Sequence, residues 1–308
     1  MNTEPITALS LQRSVISVPP LARAADESLC REENAKIVRH LEAGGVSTLL
    51  YGGNAILYHL APSEYPALLA MLAEIAGPDS LVIPSVGAAF GMMMDQAAML
   101  QEHDFPTAMI LPQPGVATSA GVATGVRRFV DRYGKPAVLY IKFDGYIDPA
   151  DVQRLVDDGL VSFIKYATVR AETANDDYLR QLVERVDPQR IVSGIGEQPA
   201  ITHLRDFGLA GFTSGCVCVA PRLSMNMLQA IQAGNFEEAE RIRQIFSPLE
   251  NLRNSIQPIR VLHAAVELAG IAVTGPVTPL LSAVDEADHP AIREAAKQLL
   301  EQDAAVKA

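Results

Sequence analysis

Val161-Ser162-Phe163-Ile164-Lys165-Tyr166-Ala167 reads as a short, mostly apolar β-strand that carries a single amine toward the protein interior. An ammonium shut away from water without a partner loses hydration worth several kcal/mol, so it tends to give up its proton instead. A neutral lysine amine is a nucleophile toward carbonyl carbon, the first requirement of Schiff-base chemistry. The segment also admits a plainer reading, a strand-end lysine whose stem lies on apolar neighbours while its amine reaches water. What surrounds the segment decides between the two.

On either side the same unit recurs. Short apolar runs at 14–18, 46–51, 81–84, 107–111, 137–141, 161–165, 190–194 and 211–215 alternate with amphipathic stretches such as 64–76, 117–133, 176–186 and 199–207. Eight strands alternating with helices is the count of a (β/α)8 TIM barrel of the α/β class, with an open doubly wound sheet as the alternative. Gly44-Gly45, Gly134, Gly159 and Gly208 each stand just before a strand, where glycine ends a helix. Past Pro221 the pattern is helical only, at 223–233, 236–252, 258–268 and 291–302. The expected division is a barrel over 13–234 and a C-terminal helical region over 235–308, with 1–12 and 303–308 frayed.

The 308 residues carry a formal charge of −11, which argues against nucleic acid or an anionic membrane as the main ligand. The longest apolar run, 81–94, contains Pro84 and Ser85 and is too short to span a bilayer. No secretory leader is read at the start, and three cysteines make no disulfide framework, so a cytoplasmic location is expected. Cys216 and Cys218 alternate on one strand face and read as buried packing. The six histidines show no HExxH or paired ligand spacing, and the acidic run 285–289 reads as a solvated linker. No metal and no cofactor is expected, which favours lysine-based carbonyl activation.

In such a barrel the reacting groups come from the C-terminal strand ends and the loops after them. Tyr140 ends the fifth run as Lys165 ends the sixth, and neighbouring parallel strands lie about 4.8 Å apart, so phenol and amine can share a pocket. There the phenol can relay protons; a core tyrosine with a satisfied hydroxyl is the alternative. After the second run, Gly53 and Asn54 let the backbone approach a ligand and aim amide donors at an anion, although a tight turn explains them equally. Gly194 and Glu197 follow the seventh run and Ser214 ends the eighth, where barrels bind phosphate or the far end of a substrate. Glu197 suits a substrate hydroxyl or a helix cap. Lys142 points to the same side as Tyr140 and can touch substrate, as can Arg170.

Together these segments resemble the dihydrodipicolinate synthase / N-acetylneuraminate lyase family of Schiff-base aldolases and dehydratases, from about Val15 to the C-terminal helices. Phe163-Ile164-Lys165-Tyr166-Ala167-Thr168 is similar to its G-[IV]-K-[ED]-[AS]-[ST] segment, and Val138-Leu139-Tyr140 to its [IL]-L-Y-N segment. Gly53 to Leu60 stands where the family has G-T-G-E-F-x-x-L, followed by Ser63-Glu64-Tyr65. The resemblance implies a barrel with C-terminal helices, usually tetrameric, in which Lys165 condenses with a 2-oxo acid and Tyr140 shuttles protons.

Several positions depart from that pattern. Gly53 and Asn54 replace the hydroxyl residue that binds the oxo-acid carboxylate, and Ile56 replaces the glutamate of that motif. Leu111-Pro112-Gln113-Pro114 replaces T-P-Y-Y, Ile141 the asparagine, and 142–145 holds no arginine. The expectation is a divergent lyase acting on pyruvate or a longer, sugar-acid-like 2-oxo acid by aldol cleavage, condensation or dehydration, and not a true dihydrodipicolinate synthase. Gly53 and Asn54 would hold the carboxylate, helped by Lys142 or Arg170, and the chain would form a homo-oligomer, tetramer or dimer. The alternative is a non-catalytic barrel of the same family that binds a small acid as a sensor or structural oligomer.

Overall fold

The computed structural model describes residues 1–306. The order is α1 (Ala8–Arg13), β1 (Ile16–Ser17), α2 (Arg31–Ala43), β2 (Thr48–Leu50), α3 (Tyr65–Ile75), β3 (Leu81–Ile83), β4 (Ser85–Val86), α4 (Phe90–Leu100), β5 (Met109–Ile110) and α5 (Ser119–Tyr133). It continues with β6 (Ala137–Ile141), α6 (Pro149–Asp157), β7 (Val161–Tyr166), α7 (Asp177–Val183), β8 (Ile191–Ser193), α8 (Ala200–Asp206) and β9 (Gly211–Ser214). Four more helices follow: α9 (Pro221–Gln232), α10 (Phe236–Ser255), α11 (Pro258–Leu268) and α12 (His289–Ala305).

All strand pairs are parallel, in the order β3-β2-β1-β9-β8-β7-β6-β5-β4. The two end members are halves of one strand interrupted at Pro84, which has no N–H to give to a ladder. Eight strands therefore close into a (β/α)8 barrel, one at each of the eight apolar runs, the third continuing past its expected end at Pro84 to Val86 and β7 one residue past Lys165. Strands covered on both faces need apolar residues throughout, and β6 is buried at all five positions while β7 is buried at all but Ser162. Helices end where expected too: Gly134, at φ +82°, closes α5 by giving its N–H to Val130.

The C-terminal helices are not a loose appendage. α10 packs on α9, α11 and α12, and it also touches α8 and the helical turn Cys216–Cys218 that follows β9. That contact brings one face of α10 to the C-terminal mouth of the barrel. Cys216 and Cys218 are buried, but in this turn and not on a strand. The expected fraying is also corrected. Thr7 and Ser10 cap α1 reciprocally and Leu11 is buried, while Asp303 is fully buried and accepts the Leu223 N–H at 2.8 Å. Lys307 and Ala308, the end of that expectation and of the C-terminal region, lie outside the described residues. Among the described residues no helix is long and apolar enough to cross a membrane.

Candidate active site

Tyr140 on β6 is the registered neighbour of Lys165 on β7, and both side chains face a cavity of about 360 Å³ at the C-terminal strand ends. Gly53, Asn54, Lys142 and Gly194 line the same cavity, so six of the nine residues singled out in the sequence are brought together. A roomier cleft of about 600 Å³ beside Phe90, Val116 and Val122 has Arg128 as its one charged wall residue and is lined by no lysine.

Lys165 is 4% exposed, and its Nζ lies 4.5 Å from the centroid of the Tyr140 ring. Among the described residues no carboxylate forms an ion pair with it. Burial, with the positive charges of Lys142 and Arg253 adding to it, pushes the amine down to about 7. A substantial fraction is therefore neutral and nucleophilic near neutral pH. Burial acts in the opposite sense on the Tyr140 phenol, pushing it above its ordinary value so that it stays protonated. Its hydroxyl has no hydrogen-bond partner among the described residues. Gly194 gives the lysine stem its room: a Cβ there would stand 2.6 Å from the Ala167 Cβ and 3.1 Å from the Lys165 Cγ.

The turn after β2 offers backbone more than side chain. Asn54 gives its side-chain Nδ2–H to the Val18 carbonyl at 2.8 Å, so that amide is committed to holding the loop. The Asn54 carbonyl meets the His263 Nε2 at 2.8 Å, and burial pushes that imidazole down to about 4, which keeps it neutral. The backbone N–H groups of Gly53 and Asn54 have no acceptor among the described residues, and free donors of this kind can serve an anion.

Two candidates are corrected. Glu197 and Ser214 are buried away from the cavity: Glu197 accepts from the Ser214 hydroxyl at 2.8 Å and the Ser224 hydroxyl at 2.7 Å. Gly196, at φ +91°, turns the chain so that Glu197 points into the packing between β9 and α9. Arg170 is spent as well, paired with Asp144 at 2.6 Å and Asp176 at 3.0 Å. Lys142 stands exposed at the mouth.

Sequence reasoning missed Glu250 and Arg253, which α10 delivers to the cavity wall from far along the chain. Glu250 takes the Glu197 N–H on its Oε1 at 2.9 Å, while its buried Oε2 has no partner. Burial, reinforced by the neighbouring Glu197, pushes the Glu250 carboxyl well up, toward its neutral form. The only traces in the sequence were Gly196 and Gly215. A Cβ at either would stand 2.2 Å from the Glu250 Oε1 or 2.8 Å from the Arg253 Nη2.

The arrangement is a buried amine, a protonated phenol and free backbone donors around one small cavity. Known proteins of similar sequence or fold match this chain along nearly its whole length. The probable 5-dehydro-4-deoxyglucarate dehydratase of Xanthobacter autotrophicus is 26% identical over 290 residues, 90% of this chain and 92% of that one. YagE from E. coli K12, a prophage protein belonging to the dihydrodipicolinic acid synthase family and solved in complex with pyruvate, superposes with a TM-score of 0.79 at 21% identity, over 95% of this chain and 99% of its own. A catalytic lysine mutant of Ruminococcus gnavus sialic acid aldolase superposes with a TM-score of 0.82 at 15% identity, over 95% and 97%. The model of the dihydrodipicolinate synthetase family matches residues 13–299, and the chain belongs to that family.

Proposed function

We propose that this cavity is the active site of a class I lyase in which Lys165 forms a Schiff base with pyruvate or another 2-oxo acid. The observation that carries the reading is the Lys165 amine, buried, without an ion pair among the described residues and set against the Tyr140 ring. Its nitrogen lone pair attacks the carbonyl carbon, the C–N bond forms, and the carbonyl oxygen takes a proton from the Tyr140 hydroxyl. The phenolate recovers a proton from the nitrogen and returns it to the carbinolamine hydroxyl, which leaves as water and yields the iminium.

The iminium then accepts an electron pair from the bond at the neighbouring carbon. If that bond is carbon–carbon, the Tyr140 phenolate takes the proton of the hydroxyl on the departing carbon, a carbonyl forms there as the bond breaks, and an aldehyde separates from the enamine. If it is carbon–hydrogen, the phenolate takes that proton to give the enamine, and the phenol returns it to the hydroxyl one carbon further on, which leaves as water. The free N–H groups of Gly53 and Asn54 hold the carboxylate during both. A relative named as a dehydratase, and fold neighbours with bound pyruvate and a catalytic lysine, support this reading.

The departures at Gly53, Asn54, Gln113 and Ile141 belong to the same proposal, in which the chain is not a true dihydrodipicolinate synthase. So does assembly into a homo-oligomer, which sedimentation would test. For the chemistry, the protein is incubated with pyruvate and borohydride and weighed by mass spectrometry after digestion. A reduced adduct on Lys165 is expected; none with pyruvate or a panel of 2-oxo acids would sink the reading.

A further inference from the structure

Besides Lys165, the cavity wall carries two cations that form no ion pair among the described residues. Lys142 follows β6, and Arg253 comes from α10. Among the described residues neither has a carboxylate within 4.0 Å, although the chain carries 36 acidic residues and Arg170, Arg241 and Arg243 are all paired. Arg253 gives its Nε–H to the Pro258 carbonyl at 3.2 Å and its Nη1 meets the Cys216 Sγ at 3.7 Å, which leaves Nη2 without an acceptor among the described residues.

The acid placed to pair with it is Glu250, three residues earlier on the same helix, a spacing that commonly bridges. Here Glu250 Oε1 is occupied by the Glu197 N–H, and burial holds the carboxyl toward its neutral form. Gly215 leaves room for the guanidinium, since a Cβ there would come within 2.8 Å of it. A permanently charged fork is thus held at the wall of a small cavity with one edge unused.

We infer that Arg253 and Lys142 form a second anion subsite, and that the 2-oxo acid this cavity takes carries a carboxylate at its far end as well as beside its carbonyl. The inference rests on the reading in which Lys165 takes the carbonyl and the Gly53-Asn54 turn takes the nearer carboxylate. A monocarboxylic acid would leave the guanidinium without a counter-ion in a partly desolvated site. A dicarboxylic one supplies it, and a planar carboxylate can meet two guanidinium N–H groups at once.

Two five-carbon acids that differ only at the far end make the test: 2-oxopentanoate ends in a methyl group, 2-oxoglutarate in a carboxylate. Binding to the full chain is followed by calorimetry, and adduct formation on Lys165 by borohydride trapping. The wild type is expected to bind 2-oxoglutarate roughly tenfold or more tightly than 2-oxopentanoate, in line with a charge-assisted bidentate contact. In Arg253→Gln the ratio should fall to about twofold, and Lys142→Gln should lower it in part. Equal affinities in the wild type, or a preference that survives both substitutions, would overturn the inference. So would inorganic phosphate displacing 2-oxoglutarate at lower concentration than glutarate does, which would indicate a phosphorylated acid instead. If the preference is present but neither acid leaves an adduct, the subsite stands and the Schiff-base reading falls.

Discussion

Tyr140 and Lys165 are register partners on adjacent parallel strands, and the lysine nitrogen stands 4.5 Å from the centre of the tyrosine ring. The same loss of hydration acts on both groups with opposite consequences. It drives the amine toward its neutral, nucleophilic form and holds the phenol in its protonated, donating form. One structural cause, placement on the inner face of neighbouring strands, sets both protonation states near neutral pH.

The first consequence is a pH profile. With the Lys165 amine pushed down to about 7, the rate of imine formation with pyruvate should climb through about pH 7 and level off above about pH 8. Lys142→Gln removes one of the positive charges that press on it, so the midpoint should move upward. Cyanoborohydride trapping across pH checks both; a midpoint near the ordinary lysine value would show that the amine is solvated.

The second consequence is a stability gain on removing the nucleophile. The folded protein holds Lys165 near 7 against 10.5 for a free side chain, so between those values the unfolded chain binds more protons and stability rises with pH. Below about 7 both states are charged and the folded state bears the full penalty. Lys165→Met should therefore stabilise the protein at pH 7 by on the order of 2 kcal/mol, with the advantage shrinking toward pH 10. Thermal melts at both pH values read this out, and a variant less stable than the wild type at pH 7 would contradict it.

The phenol is tested by Tyr140→Phe. Its hydroxyl makes no protein hydrogen bond, so the ring packs as before and stability should change by less than about 1 kcal/mol. Turnover should fall by about 10² or more, since proton relay typically contributes that much, while slow trapping on Lys165 persists. A variant that turns over at the wild-type rate would remove Tyr140 from the mechanism.

What was legible in the sequence was whatever is local. Each barrel strand is a short apolar run closed off by glycine or proline, and the pair Tyr140 and Lys165 follows from counting strands and placing each residue at a strand end. Glu197, Ser214 and Arg170 were misplaced because their positions depend on partners far away in sequence. Ser224 on α9 turns Glu197 inward, and Asp144 and Asp176 take Arg170. Arg253 was invisible for the same reason. It looks like an ordinary helix-surface arginine until α10 is packed across α8 and the turn after β9.

Gly194 is the cavity residue whose role is steric. It gives its N–H to the Tyr166 carbonyl at 2.6 Å, and a Cβ would meet that same oxygen at 2.8 Å as well as Ala167 and the Lys165 stem. None of these is the free end of a flexible chain, so β7 and β8 would have to separate. Gly194→Ala should therefore cost about 1 to 3 kcal/mol of stability, as overpacking does. Because the displaced neighbour is Lys165, it should also slow trapping by pyruvate more than the loss of folded protein accounts for. Gly134→Ala is the control: that glycine also resists a Cβ, through its φ of +82°, but it lies at the end of α5 with nothing within 4 Å of the added atom. It should lower the melting temperature and leave the trapping rate per folded molecule unchanged. Equal effects of the two substitutions on trapping would mean that Gly194 matters only for folding.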